Sequence, residues 1–287
     1  MTARRAAALP FYAARLDSRG RIEPWALEDL QEFAARSGDP YGGRLAPGLR
    51  PALSLQLEAS EDEPVFLGLA ARELQAWSRA LEAAWRRFGV ERGDAVALFD
   101  YGSSPAVFLA AGTYVAYLRR GVADRLGLTT ICNDGVASMA GRMLEILQWV
   151  RPAALVLRRD VLAPFAEALQ TAGLSLAGRC RWVAVTEPDG APPLLETRRY
   201  AELWQVPVHR LLRADAACFL AGSDPADPRR FLVERELYAL EALGDGEVAV
   251  SARFARTCPS LRHRLTSAGL ELRRVAAGEG PAALEET

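Results

Sequence analysis

The 287-residue sequence contains no lysine; all 35 of its basic residues are arginine. Within these residues the absence excludes chemistry that needs an ε-amine, such as a Schiff base or a lysine-anchored phosphate. The accompanying richness in Ala, Arg and Gly fits a GC-rich genome. Histidine is nearly as scarce, with only His209 and His263, and Cys132, Cys180, Cys218 and Cys258 form no C-x-x-C pair. A zinc or iron–sulfur centre is therefore not expected, and no cofactor or metal ligand set is assigned. Scattered single cysteines suit a reducing cytosol, so a cytoplasmic protein is expected. Long apolar runs are also missing. The opening MTARRAAALPFYAARLD has arginines but no secretory core, so neither a signal nor a membrane span is expected. A net charge of −1 provides no basic surface and argues against a nucleic-acid partner. What remains is a chain that is 50% hydrophobic, enough to build a core in one large or two modest domains.

The chain is organised around residues 89–187, from GVERGDAVALFDYGSSP to RWVAVTEP. Short apolar runs at Val96–Phe99, Leu128–Ile131, Ala154–Leu157 and Arg181–Val185 read as buried strands. Helical stretches separate them, at Pro105–Leu118, Ser138–Val150 and Leu162–Ala172. Asn133 or Asp134 is expected to cap the second helix and Asp160 the third, with Gly173 at the end of the third. Strands separated by helices imply right-handed βαβ units. The fold class is thus α/β, a largely parallel sheet with flanking helices, followed by a small antiparallel β meander over Phe231–Val275. Ahead of the centre, a helical pattern runs through Trp25, Leu27, Leu30 and Phe33. Strands are expected at Leu53–Leu57 and Val65–Leu67. The stripe Leu74, Trp77, Leu81, Trp85 and Phe88 then marks a helix packed on the core. Four segments result: a helical and loop segment over 1–50, an α/β domain over 51–222, a β-rich subdomain over 223–277, and a frayed tail over 278–287.

In parallel sheets ligands bind beyond the carboxyl ends of the strands. The residues there are Asp100 and Tyr101, Asn133 and Asp134, and Thr186 and Glu187, the candidate lining of a ligand pocket. No Ser-His-Asp or Cys-His arrangement is present, and no catalytic residue is assigned.

Three stretches carry a family resemblance: GVERGDAVALF, RMLEILQWVRPAALVLRRDVLAPFAEALQTAGLSL, and DGEVAVSARFARTCPSLRHRL. Their order resembles the adenylate-forming ligases, in particular the phenylacetate–CoA ligase-like branch. The resemblance implies the large N-terminal domain of such a ligase, which activates a carboxylate with ATP and passes the acyl group to CoA. It also implies a phosphate-binding loop, where this sequence reads Ala59-Ser60-Glu61-Asp62-Glu63-Pro64, without glycine or lysine. The family's adenine- and Mg²⁺-binding element falls near Leu211–Asp215, leaving Asp215 as a shortened carboxylate. Its ribose-binding aspartate is replaced by Ser267, and the sequence ends about a dozen residues after the mobile C-terminal domain should begin. These departures imply a pseudo-ligase, a structural or regulatory subunit beside an acyl-CoA or aromatic-acid enzyme, with another protein or a second copy as partner. The alternatives are a ligase activity completed by a partner chain, or non-covalent binding of an aromatic or acyl ligand in a vestigial pocket. In that pocket Tyr101, Asn133, Asp134, Thr186, Glu187 and Asp215 are the expected lining, and Arg262 and Arg264 the candidate anion contacts.

Overall fold

In a computed structural model of the chain, residues 6–57, 64–102, 104–111, 120–190, 197–244, 246–265, 270–273 and 282–286 are described. The first elements with described bounds are the short helix α1 (Pro10–Ala13) and the helix α2 (Leu27–Ser37). The Asp29 carboxylate accepts the Ala26 N–H at 2.8 Å, and Gly38, at φ +67°, stops α2. The strands β1 (Leu53–Gln56) and β2 (Phe66–Leu69) pair antiparallel and lead into α3 (Ala71–Phe88). Leu74, Trp77, Leu81, Trp85 and Phe88 are all buried, so the expected stripe is core.

The expected alternation then follows as β3 (Ala95–Phe99), α4 (Pro105–Ala111), α5 (Val122–Leu126), β4 (Thr129–Asn133), α6 (Ala140–Trp149), β5 (Ala154–Arg158), α7 (Leu162–Thr171), β6 (Trp182–Pro188), α8 (Thr197–Trp204) and β7 (Val208–Ala214). The end of the helix expected over Pro105–Leu118 lies outside the described residues. Neither expected side-chain cap forms. Asn133 ends β4 and a 3₁₀ turn over Ala137–Met139 starts α6, while Asp160 is drawn away from α7 by Arg158 at 2.9 Å. Gly173, at φ +63°, does end α7.

The remaining strands are β8 (Phe219–Asp224), β9 (Asp227–Val233), β10 (Tyr238–Gly244), β11 (Glu247–Ala252), β12 (His263–Leu265), β13 (Leu270–Arg273) and β14 (Ala282–Glu286). A nine-stranded sheet runs in the order β13-β14-β9-β8-β7-β6-β5-β3-β4, parallel from β4 to β7 and antiparallel beyond it. The reversal has a local cause. Parallel neighbours need a crossover, whereas the turn Asp215–Ala217 after β7 is long enough only for an antiparallel return. The expected meander therefore divides, with β10-β11-β12 a separate three-stranded sheet and β9, β13 and β14 extending the main one. Of the tail expected to fray, residues 282–286 form β14, because burying Ala283 and Leu284 against β9 fixes its register; 278–281 and 287 lie outside the described residues.

Side chains alternate across the parallel strands. Phe99, Leu157 and Val185 meet Phe165 and Trp204 of α7 and α8, whereas Leu98, Val156 and Ala184 meet Trp77 and Leu81 of α3. His209 of β7 faces the α3 side, its ring stacked on Phe88 at 4.2 Å. Burial pulls its imidazole down to about 4 from the ordinary 6.5. Because the folded value is the lower one, the unfolded chain binds the proton first. The contribution of this neutral ring is therefore complete above pH 6.5 and is lost as pH falls toward 4. Urea denaturation of the wild type should show a loss of about 3 kcal/mol attributable to this ring across that window. His209→Phe should show a smaller acid-induced loss by that amount; equal slopes for the two proteins would refute the assignment.

Candidate functional site

β4 and β5 flank β3 on opposite sides, so the chain leaves β3 in one direction and returns in the other. A crevice opens at such a point, at the carboxyl ends of the strands. The loop after β4 passes close over it: a Cβ at Gly135 would lie 2.2 Å from the Phe99 carbonyl oxygen, so the position requires glycine.

On the α3 side of the sheet the strand ends present Asp100, Arg158, Thr186 and Arg213. The register places Phe99 beside Leu157 and Arg158 beside Thr186, so these side chains form a row across β3, β5, β6 and β7. Arg158 Nη1 lies 3.9 Å from Asp100 Oδ1 and Arg213 Nη1 lies 3.6 Å from Oδ2. Thr186 Oγ1 donates to Asp100 Oδ2 at 3.3 Å, and the Tyr101 N–H donates to Oδ1 at 2.8 Å. Burial pushes the Asp100 carboxyl above its usual range, while Arg213, Ser104, the Tyr101 N–H and Arg158 pull against it. The Arg158 guanidinium also sits 3.9 Å from the centre of the Tyr101 ring.

The opposite face carries Glu187 and Arg210. Arg210 stands beside Val185 in the register, diagonal to Glu187 on the same face. Its Nε and Nη2 donate to the two Glu187 oxygens at 2.6 and 2.7 Å, with both side chains at most 3% exposed. Arg159 Nη1 approaches Glu187 Oε2 at 3.5 Å, and Phe231 supports Arg210 from 4.9 Å.

Two openings among the described residues lie at this end. One, of about 60 Å³, is bordered by Asp189, Arg213, Asp215 and His263 and has room for about four waters. Within it His263 Nε2 pairs with Asp189 Oδ2 at 2.8 Å, and Arg213 Nη2 lies 3.4 Å from Asp215. The other, of about 260 Å³, is bordered by Asp100, Cys132, Asn133, Asp134, Met139 and Arg142. No group of three or more His, Cys, Asp or Glu side chains suited to a metal ion occurs among the described residues. Likewise, no helix among them is long and apolar enough to cross a membrane.

The expected site residues are thus separated by the structure. Asn133 and Asp134 border the wider cleft, Asp215 the narrow one, and Thr186 and Glu187 are enclosed in ion-pair networks on opposite faces. Tyr101 is 37% exposed and turned toward Arg158. Arg262 directly precedes β12 and is held by Glu241, while Arg264 lies on β12 and pairs with Glu247. The segment Ala59–Glu63 and Ser267 lie outside the described residues. Sequence reasoning missed the arginines that close the mouth, Arg158, Arg159, Arg210 and Arg213. The signal was there: Arg158, Arg210 and Arg213 lie on strands at the parity that faces a nearby carboxylate, and Arg159 directly follows β5.

No protein-family model matches the sequence, and no curated protein is significantly similar to it. Solved structures share its fold. 2-Hydroxyisobutyryl-CoA ligase in an open conformation with 2-HIB-AMP and CoA aligns with 99% of this chain and 70% of its own, at TM-score 0.76 and 16% identity. Its thioesterification state aligns equally well, over 64% of that chain. The anthranilate-CoA ligase AuaEII with anthranoyl-AMP aligns over 81% of this chain and 46% of its own, at TM-score 0.56 and 12% identity. The chain therefore has the fold of the large domain of adenylate-forming ligases, as its sequence implies.

Glu187 and Arg210 also supply a test of the mouth. Removing one partner strands a buried charge, so Arg210→Ala should cost about 3–5 kcal/mol in chemical denaturation. The double variant Glu187→Leu/Arg210→Met should recover most of that loss. A loss below about 1 kcal/mol in Arg210→Ala would mean that water reaches Glu187 freely.

Proposed function

We propose that this chain is a non-catalytic protein on the adenylate-forming fold, a structural or regulatory subunit of an acyl-CoA or aromatic-acid enzyme system in the cytoplasm. The observation that carries this reading is the filling of the strand-end mouth by the chain's own arginines. Asp100, Glu187 and Asp215 are each engaged by a guanidinium, and the narrow opening between Asp189 and Asp215 has room for a few waters but not for a nucleotide. The run Ala59–Pro64 supports the same reading, with three carboxylates and no glycine where a phosphate would have to sit. Calorimetry with Mg·ATP should detect no binding up to about 1 mM. A dissociation constant in the low micromolar range would overturn the proposal. ATP binding that appears only with a second protein present would favour a ligase completed by that protein.

The wider cleft beside Asn133 and Asp134 favours a second reading, non-covalent binding of a small aromatic or acyl ligand. A saturable thermal shift with aromatic acids, lost in Asn133→Ala, is its test; at 100 times the dissociation constant the gain is about 2.7 kcal/mol.

A subunit must present a contact surface. Trp149, at 85% exposed, and the neighbouring Val150 at the end of α6 are unusual on an otherwise well-packed chain. Association with a second copy or another protein is the expected outcome. Light scattering on the purified chain and affinity capture from the host should reveal one or the other, and Trp149→Ser should weaken it. A monodisperse monomer without a stoichiometric companion would leave the ligand-binding reading as the better one.

A further inference from the structure

A cavity larger than either strand-end opening, about 570 Å³, lies between the N-terminal segment and the three-stranded sheet. Ala7, Ile22 and Leu261 give it an apolar lining, and Glu241, Ser251, Arg262 and Arg21 place polar groups around it. Two local structures build it.

The first is a turn over residues 16–22. Leu16 and Ile22 pair antiparallel, and Asp17 N–H donates to the Arg21 carbonyl at 2.8 Å. Asp17 Oδ1 accepts the N–H groups of Arg19 and Arg21, and Oδ2 holds Arg21 Nε at 2.9 Å. The Arg21 guanidinium is therefore oriented through its Nε, while its two terminal nitrogens make no hydrogen bond among the described residues. The second is the backbone at Arg262, at φ +55°, a conformation that non-glycine residues hold only when their surroundings impose it. Here four contacts impose it. Nε and Nη2 donate to the two Glu241 oxygens, each at 2.8 Å, Nη1 donates to the Ile22 carbonyl, and the backbone N–H donates to Ser251 Oγ at 2.8 Å. Arg262 is thus a fixed wall whose charge Glu241 cancels, and Arg21 is the cation with donors to spare.

We propose that this cavity binds a small amphipathic monocarboxylate, its apolar body against Ile22 and Leu261 and its carboxylate on the terminal nitrogens of Arg21. A planar guanidinium matches a carboxylate through two parallel hydrogen bonds. Asp17 and Glu241 bracket the position with negative charge, which selects a monoanion over a dianion.

Octanoate, with octan-1-ol as the neutral probe of the same length, tests the proposal by calorimetry on the full chain. Octanoate should bind one-to-one and at least about tenfold more tightly than octanol. Arg21→Gln, at an exposed turn position, should abolish that preference with the thermal midpoint of the free protein unchanged, and Asn133→Ala should leave octanoate affinity as in the wild type. Absence of binding at about 5 mM, equal affinity for the two probes, or unchanged preference in Arg21→Gln would each overturn the assignment. Loss of binding in Asn133→Ala instead would transfer the ligand to the strand-end cleft.

Discussion

A carboxylate at the end of a parallel strand cannot be both desolvated and unpaired, and this constraint shapes the mouth of the sheet. Asp100 and Glu187 are each 2% exposed, so each must meet a cation. At about 4 Å and an effective dielectric near 20, such a pair gains about 4 kcal/mol of Coulomb energy, which offsets a desolvation penalty of similar size. The net stabilisation is small, but the loss of either partner is not. Arginine suits the task better than lysine because its fork satisfies both carboxylate oxygens at once, as Arg210 does for Glu187.

The geometry of that mouth depends on residues far away in the sequence. Tyr12 donates to the Pro259 carbonyl at 2.6 Å and accepts the Leu261 N–H, and Trp25 Nε1 donates to the Leu261 carbonyl. Burial pushes the Tyr12 hydroxyl up to about 12, so it remains a neutral donor at any physiological pH. Glu73, at the start of α3, accepts the N–H groups of Arg256 and Thr257, and Arg44 donates to the Ala216 carbonyl at 2.8 Å. These bonds fix residues 256–263 against the main sheet and deliver His263 to Asp189. The same segment carries Leu261 and Arg262 into the cavity lined by Ile22. One clamp therefore sets both the narrow strand-end opening and the second cavity.

Much of this was legible in the sequence because periodicity reports which side of an element is buried. The stripe of α3, the strands β3 to β7 and the α/β class follow from patterns within ten or twenty residues. What escaped depends on partners distant in sequence. Asn133 and Asp134 look like helix caps by position, but a 3₁₀ turn supplies the entry to α6 and leaves them on a cleft. Residues 282–286 look like a fraying end, because nothing local announces the open edge of β9 that receives them. Arg262 looks like a free anion contact until Glu241, 21 residues earlier, is brought beside it. The arginines of the mouth were overlooked for a different reason: in a chain with 35 arginines and no lysine, an individual arginine carries little information.

The fold shared with CoA ligases leaves the difference to the contents of the crevice. Here Arg213 stands between Asp100 and Asp215, at 3.6 and 3.4 Å, and Arg158 is fixed from both sides by Tyr101 and Asp160. To admit a ligand, these contacts would have to separate together, because moving Arg213 alone strips a cation from both Asp100 and Asp215 while Asp100 stays buried against Thr186. Each such separation costs the desolvation of groups the ligand would then have to satisfy anew. The carboxylates and guanidiniums of the mouth are thus tied to one another across three strands and the loops that follow them. The sheet's topology depends on the apolar faces of β3 to β7 rather than on the polar residues at their ends.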